Sequence, residues 1–122
     1  MAKFTFVVCT EPYKYQGIES MLNIAEAVVR KGHEIGMIFL YGSGVHNLKK
    51  ELNIASDTRN LPARLQSFVT DNHVKLAGCT TWVGLCGLKQ CDFIEDASEE
   101  GLGELSTSIV GSDKVIFFGS GS

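Results

Sequence analysis

The chain has 122 residues, 44% of them hydrophobic and 20% charged, with a formal net charge of −3, the profile of one soluble globular domain around a single core. This mild acidity excludes the basic footprint of a direct nucleic-acid binder, and no apolar run reaches the roughly 20 residues of a membrane helix or makes a signal-peptide core. A cytoplasmic location is therefore expected, and in a reducing compartment the four cysteines need no disulfide framework.

Lys3 to Cys9 is a run of β-branched and aromatic residues with almost no polar break, which predicts a strand covered on both faces. A polar, turn-rich loop follows from Thr10 to Gly17. From Ile18, the apolar residues Met21, Leu22, Ala25, Val28 and Val29 recur at helical spacing, and Gly32 after Arg30-Lys31 stops the helix. Glu34 to Leu40 reads as a second buried strand, so strand, helix and strand make a parallel crossover. Tyr41-Gly42-Ser43-Gly44-Val45-His46 is a glycine-rich turn, and Asn47 to Asn60 reads as an irregular, mobile excursion with room for one helical turn.

Pro62 suits the first turn of a helix whose stripe is Leu61, Leu65, Phe68 and Val69. That helix hands over to a strand running from Val74 to Cys79, and a helical pattern then carries the chain to Cys86. Gly87 to Ala97 reads as a loop. Asp96 with Glu99 resembles a capping box and predicts the start of the last helix, whose stripe is Leu102, Leu105 and Ile109. Gly101 and Gly103 each cost such a helix up to about 1 kcal/mol relative to alanine, and they read as sites where another backbone approaches closely. Asp113 to Phe118 is the final strand, and residues 119–122 are a flexible end. The alternation predicts a single α/β domain over residues 1–118, a three-layer sandwich with a mainly parallel sheet flanked by helices.

In such a sheet the chemistry sits outside the carboxyl ends of the strands, which gathers Thr10 to Gly17, Tyr41 to His46, Cys79 and Gly119. Cys79 stands where strand changes to helix, and the N–H groups of Thr81 and Trp82 in that first turn favour thiolate over thiol. It is the candidate nucleophile or sulfur carrier. Cys86, seven residues on, lies on the same face of a regular helix about 10 Å away, too far for a disulfide, and reads as a core or interface residue. Cys91 in its loop is a candidate second thiol, whereas Cys9 reads as packing. His46 lies on the correct edge to polarise a thiol or a partner. Tyr13, Tyr15 and Tyr41 are candidates for lining the cysteine pocket or an interface, with Trp82 packed in support. His33 and His73 precede strands at the opposite edge and read as turn residues. No Cys-x-x-Cys occurs, and the gaps of six and four residues between the last three cysteines match no common zinc pattern, so neither metal nor cofactor is expected. Gly42-Ser43-Gly44 lacks both a Walker lysine and a full dinucleotide fingerprint.

Several segments taken together resemble one family. They are Pro12-Tyr13 and Gln16 after the opening strand, Lys31-Gly32-His33-Glu34 before the second, and Phe39-Leu40-Tyr41-Gly42-Ser43-Gly44-Val45 at its end. Val74-Lys75-Leu76 leading into Cys79, then Gly101-Leu102-Gly103-Glu104-Leu105 before Asp113-Lys114-Val115, complete the pattern in one order. The chain resembles the DsrE/DsrF family of small sulfur-relay proteins, nearest its TusD and DsrE subunits. The resemblance implies that Cys79 receives sulfur as a persulfide from a TusA-like donor and passes it to a DsrC/TusE-like acceptor, serving tRNA thiolation or sulfur oxidation. It also implies trimers or hexamers, homomeric or mixed. Cys86 and Cys91 depart from that pattern. Two other readings fit the same residues: a small-molecule-binding module at this sheet edge, and a non-catalytic interaction subunit of a DsrEFH-like oligomer.

Overall fold

In the computed structural model, which describes residues 1–52 and 59–119, the strands are β1 Lys3–Val8, β2 Glu34–Leu40, β3 Leu76–Cys79, β4 Ala97–Glu100 and β5 Lys114–Phe118. The helices are α1 Gly17–Arg30, α2 Leu61–Asp71, α3 Thr80–Leu85 and α4 Leu102–Val110. The strands form one five-stranded sheet in the order β4-β3-β2-β1-β5. Every pairing is parallel.

Strand alternation sends Phe4, Phe6, Val8, Ile38, Leu40 and Leu76 to one face, where they meet Ile18, Met21, Leu22 and Ala25 of α1 and Leu65 and Phe68 of α2. This is the larger core. The other face carries Val7, Met37, Phe39, Ala77 and Cys79 under Leu105 of α4. Helices on both faces give the three layers that a parallel sheet requires. The cover is unequal, because α4 contributes one buried residue, Leu105, and leaves Phe117 of edge strand β5 63% exposed. The helix is also pinned at its far end: the buried Thr5 hydroxyl lies 2.7 Å from Ser108 Oγ and 2.6 Å from Ser112 Oγ.

The helices start and stop for local reasons. Asn60 caps α2 by accepting a hydrogen bond from the Ala63 N–H at 3.0 Å, with Pro62 in the first turn. After α1, Gly32 takes a positive φ of 83°, and the His33 N–H returns to the Val28 carbonyl at 3.0 Å.

Three expectations are overturned. Asn47 and Leu48 do not belong to a mobile excursion: Gly42–Leu48 is a 3-10 helical segment whose Val45 and Leu48 are fully buried. The Asn47 amide donates to the carbonyls of Thr10 and Gly44 at 2.8 and 3.0 Å. The remainder of that predicted excursion includes residues 53–58, and the predicted flexible end includes residues 120–122; both sets lie outside the described residues. Second, Asp96 does not cap the last helix. It has a φ of 69° and leads into β4, whose Ala97, Ser98, Glu99 and Glu100 pair with Leu76 to Cys79. The short, acidic strand shows no hydrophobic alternation because it is a sheet edge, where charge discourages further pairing. Third, Gly101 precedes α4 as its N-cap and Gly103 lies in its first turn. Nothing in the described chain comes within 4 Å of a Cβ at either position, so neither glycine serves a close approach within it.

Candidate active site at the carboxyl edge of the sheet

Two glycines allow the edge to be built. A Cβ on Gly44 would lie 2.2 Å from the Val8 carbonyl oxygen, and one on Gly78 would lie 2.5 Å from Leu48 Cδ1. The first lets the 3-10 segment sit on the end of β1. The second lets Leu48 press on β3 one residue before Cys79. Val83 of α3, itself buried, closes on the same spot, with Cγ2 3.4 Å from the Gly78 Cβ position.

Cys79 is the last residue of β3 and the N-cap of α3. Its backbone is extended, at φ −65° and ψ 121°, and its side chain makes no capping hydrogen bond. The residue is 4% exposed and packs with the cluster under α4. The unpaired first-turn N–H groups expected of Thr81 and Trp82 follow it directly, yet the resting thiol does not accept from them.

Register places its neighbours. Glu100 pairs with Cys79 on one side. On the other, Leu40 pairs with Gly78, so Tyr41 stands beside Cys79. Val8 pairs with Leu40, so Cys9 follows beyond Tyr41. Glu100, Cys79, Tyr41 and Cys9 thus form one row along the edge. The row explains why Cys9 is no disulfide partner: two strand spacings put the two backbones about 10 Å apart, beyond the Cα separation a disulfide spans. Burial also pushes the Cys9 thiol pKa up, keeping it protonated at neutral pH. Glu100 is held by Lys75 Nζ at 3.3 Å, and the same ammonium lies 3.6 Å from Glu104. A clamped carboxylate in register with Cys79 could not be read from the sequence, because only the β3–β4 pairing creates it.

The aromatic and histidine candidates fall into two groups. Trp82 packs against the Cys79 cluster and meets Tyr41 edge-on, ring centroids 6.0 Å apart at 67°. Tyr13 and His46 instead line a separate cleft of about 250 Å³ with Glu11, Pro12, Lys49 and Leu52. There the Tyr13 hydroxyl donates to the Arg59 carbonyl and accepts the Leu61 N–H at 3.0 Å, strapping the start of α2. Burial, assisted by Lys49 and opposed by Glu11, lowers the His46 pKa, so its imidazole is neutral at pH 7. Tyr15 is exposed, with Lys14 Nζ 5.3 Å from its ring centre.

Cys86 does not share the face of Cys79. Helix α3 has only six residues and ends before it, and Cys86 packs half-buried against the larger core instead. Cys91 is exposed in the turn Gln90–Asp92. Among the described residues, no group of three or more His, Cys, Asp or Glu side chains could hold a metal ion, and no helix is long and apolar enough to cross a membrane.

A family model described as DsrE/DsrF-like matches residues 2–118. The chain belongs to the DsrE/DsrF-like family. Among curated relatives, the sulfurtransferase TusD of Salmonella newport (strain SL254) is 28% identical over 127 residues, covering 95% of this chain and 99% of the relative. Of solved structures, the ychN protein of E. coli superposes with a TM-score of 0.85 at 22% identity, covering 97% of this chain and all of that one (100%). A protein of unknown function from Methanobacterium thermoautotrophicum superposes with a TM-score of 0.73 at 12% identity, covering 95% of this chain and 99% of the other. At those identities the two structures share the fold. The DsrE/DsrF-like match, by contrast, spans all five strands and the thiol edge.

Proposed function

We propose that this DsrE/DsrF-like protein relays sulfane sulfur through a persulfide on Cys79. The observation that carries the reading is the place of Cys79: the last residue of β3, at the carboxyl edge where parallel sheets hold their chemistry. In loading, the Cys79 thiolate attacks the outer sulfur of a donor persulfide, a new S–S bond forms, and the donor leaves as a thiolate. In unloading, an acceptor thiolate attacks the outer sulfur now on Cys79, and Cys79 departs as thiolate. Sulfur moves at constant oxidation level, so no cofactor is required. A TusA-like protein fits as donor and a DsrC/TusE-like protein as acceptor, in tRNA thiolation or in sulfur oxidation, within the reducing cytoplasm that keeps the cysteines free. The thinly covered α4 face and the exposed Phe117 on edge strand β5 favour a homo- or hetero-oligomer.

The near-complete burial of Cys79 favours one second reading, an interaction subunit with a silent thiol. Intact-mass spectrometry under non-reducing conditions separates the two after incubation with a cysteine desulfurase and cysteine, or with polysulfide. A reductant-labile sulfur adduct present in wild type and Cys86→Ser but absent from Cys79→Ser supports the relay. An unmodified wild type supports the silent subunit, and loading on Cys91 or Cys86 refutes the choice of thiol.

A further inference from the structure

Cys79 sits on the edge that a sulfur donor must approach, yet it is 4% exposed. Trp82, three residues on, shares its face of the turn and packs on its cluster. Tyr41, the residue after β2, receives the indole edge-on at 6.0 Å. The indole also touches the larger core but is only partly buried, whereas Val83 and Leu88 are buried in that core and hold the segment. Trp82 can therefore turn away while the short helix stays in place.

We propose that Trp82 resting on Tyr41 is a gate that determines which thiols exchange with Cys79, excluding small free thiols and admitting a protein-borne thiol whose surface displaces the indole. This rests on the relay reading, because a gate has a purpose only where the sulfur beneath it must be kept. Discharge of the persulfide needs only a thiolate R–S− at its outer sulfur: the S–S bond breaks, R–S–SH forms and Cys79 leaves as thiolate. Any small thiol could do this to an open persulfide and drain the relay. A partner that seats on the two rings covers the apolar faces they expose on separating, and places its own thiolate over the sulfur.

The test is the rate of alkylation of each cysteine by iodoacetamide, a small neutral probe, resolved by peptide mass spectrometry with the exposed Cys91 as internal control. Trp82→Ala should accelerate alkylation of Cys79 about 3- to 10-fold, the worth of one edge-on aromatic pair, leaving Cys91 unchanged. Trp82→Phe should restore most of the protection, and Tyr41→Ala, at a 37% exposed position, should act in the same direction without placing the fold at risk. An unchanged Cys79 rate in both alanine variants, or equal acceleration at Cys91, overturns the gate. Wild type loaded from the protein-borne persulfide of a cysteine desulfurase should lose its sulfur to glutathione more slowly than Trp82→Ala, by a similar factor; equal loss overturns the selection. If no variant loads while alkylation accelerates as expected, the gate stands and the relay reading is what fails.

Discussion

Replacing Gly78 by alanine tests the construction of the site at its tightest point. The added methyl would stand 2.5 Å from Leu48 Cδ1 and 3.4 Å from both Leu48 Cγ and Val83 Cγ2. Leu48 is fully buried, so its methyl has no solvent to swing into. Overpacking of this kind costs about 1–3 kcal/mol, and a clash this far inside ordinary van der Waals separation belongs in the upper half of that range. For a domain of this size the melting temperature should fall by roughly 4 °C per kcal/mol. Urea denaturation of Gly78→Ala, Leu48→Ala and the double variant measures the coupling directly. Leu48→Ala alone should cost about 2–5 kcal/mol, and the double variant should be clearly more stable than the sum of the two losses requires, because the new methyl enters the space the leucine vacates. A Gly78→Ala protein as stable as wild type, or strictly additive losses, would refute the claim that Leu48 is seated on Gly78 and fixes the turn into Cys79.

Gly44→Ala should be worse and should not be rescued by any side-chain truncation, since its methyl would meet the Val8 carbonyl oxygen at 2.2 Å; we expect more than about 3 kcal/mol lost in the same denaturation assay. The pH dependence has a defined sign at His46. Burial and Lys49 hold its folded pKa below the ordinary 6.5, so the unfolded chain binds the extra proton and stability falls as pH drops from about 6.5 through the lower folded value. The imidazole is only partly buried, so the slope is shallow, and His46→Gln should flatten it in urea midpoints taken between about pH 7.5 and 5, the window around that titration; an unaltered slope would remove His46 as its source.

Each element was legible to the extent that its information lies in its own residues. Helix α1 declares itself locally, since Ile18, Met21, Leu22, Ala25 and Val28 mark one stripe and Arg30-Lys31-Gly32 an end, and the structure begins it one residue earlier than its apolar pattern. Strands β1 and β2 were readable as apolar runs because a parallel sheet buries both faces of its inner strands, and β5 was readable from Val115 to Phe118 even though its place at the sheet edge leaves Phe117 exposed. Strand β4 was not: Ala97-Ser98-Glu99-Glu100 has no strand propensity of its own, and its conformation comes from pairing with Leu76 to Cys79. The same pairing overrode the Asp96 capping signal.

Spacing along the chain was enough to establish that strands alternate with helices and that a thiol stands at the end of one strand. What surrounds that thiol came from the folded arrangement alone. Glu100, Tyr41 and Cys9 come from the ends of three different strands, and register sets them in one row with Cys79. The packing of the 3-10 segment over Gly78 and the meeting of Trp82 with Tyr41 join residues far apart in the chain, for which no local periodicity exists. Tyr13 and His46 lie on the same edge by chain order, yet they line a cleft of their own, because the 3-10 segment packs with the larger core while Cys79 faces the cluster under α4. Topology brings strand ends to a common edge; the side of the sheet to which each side chain turns is set by register and packing.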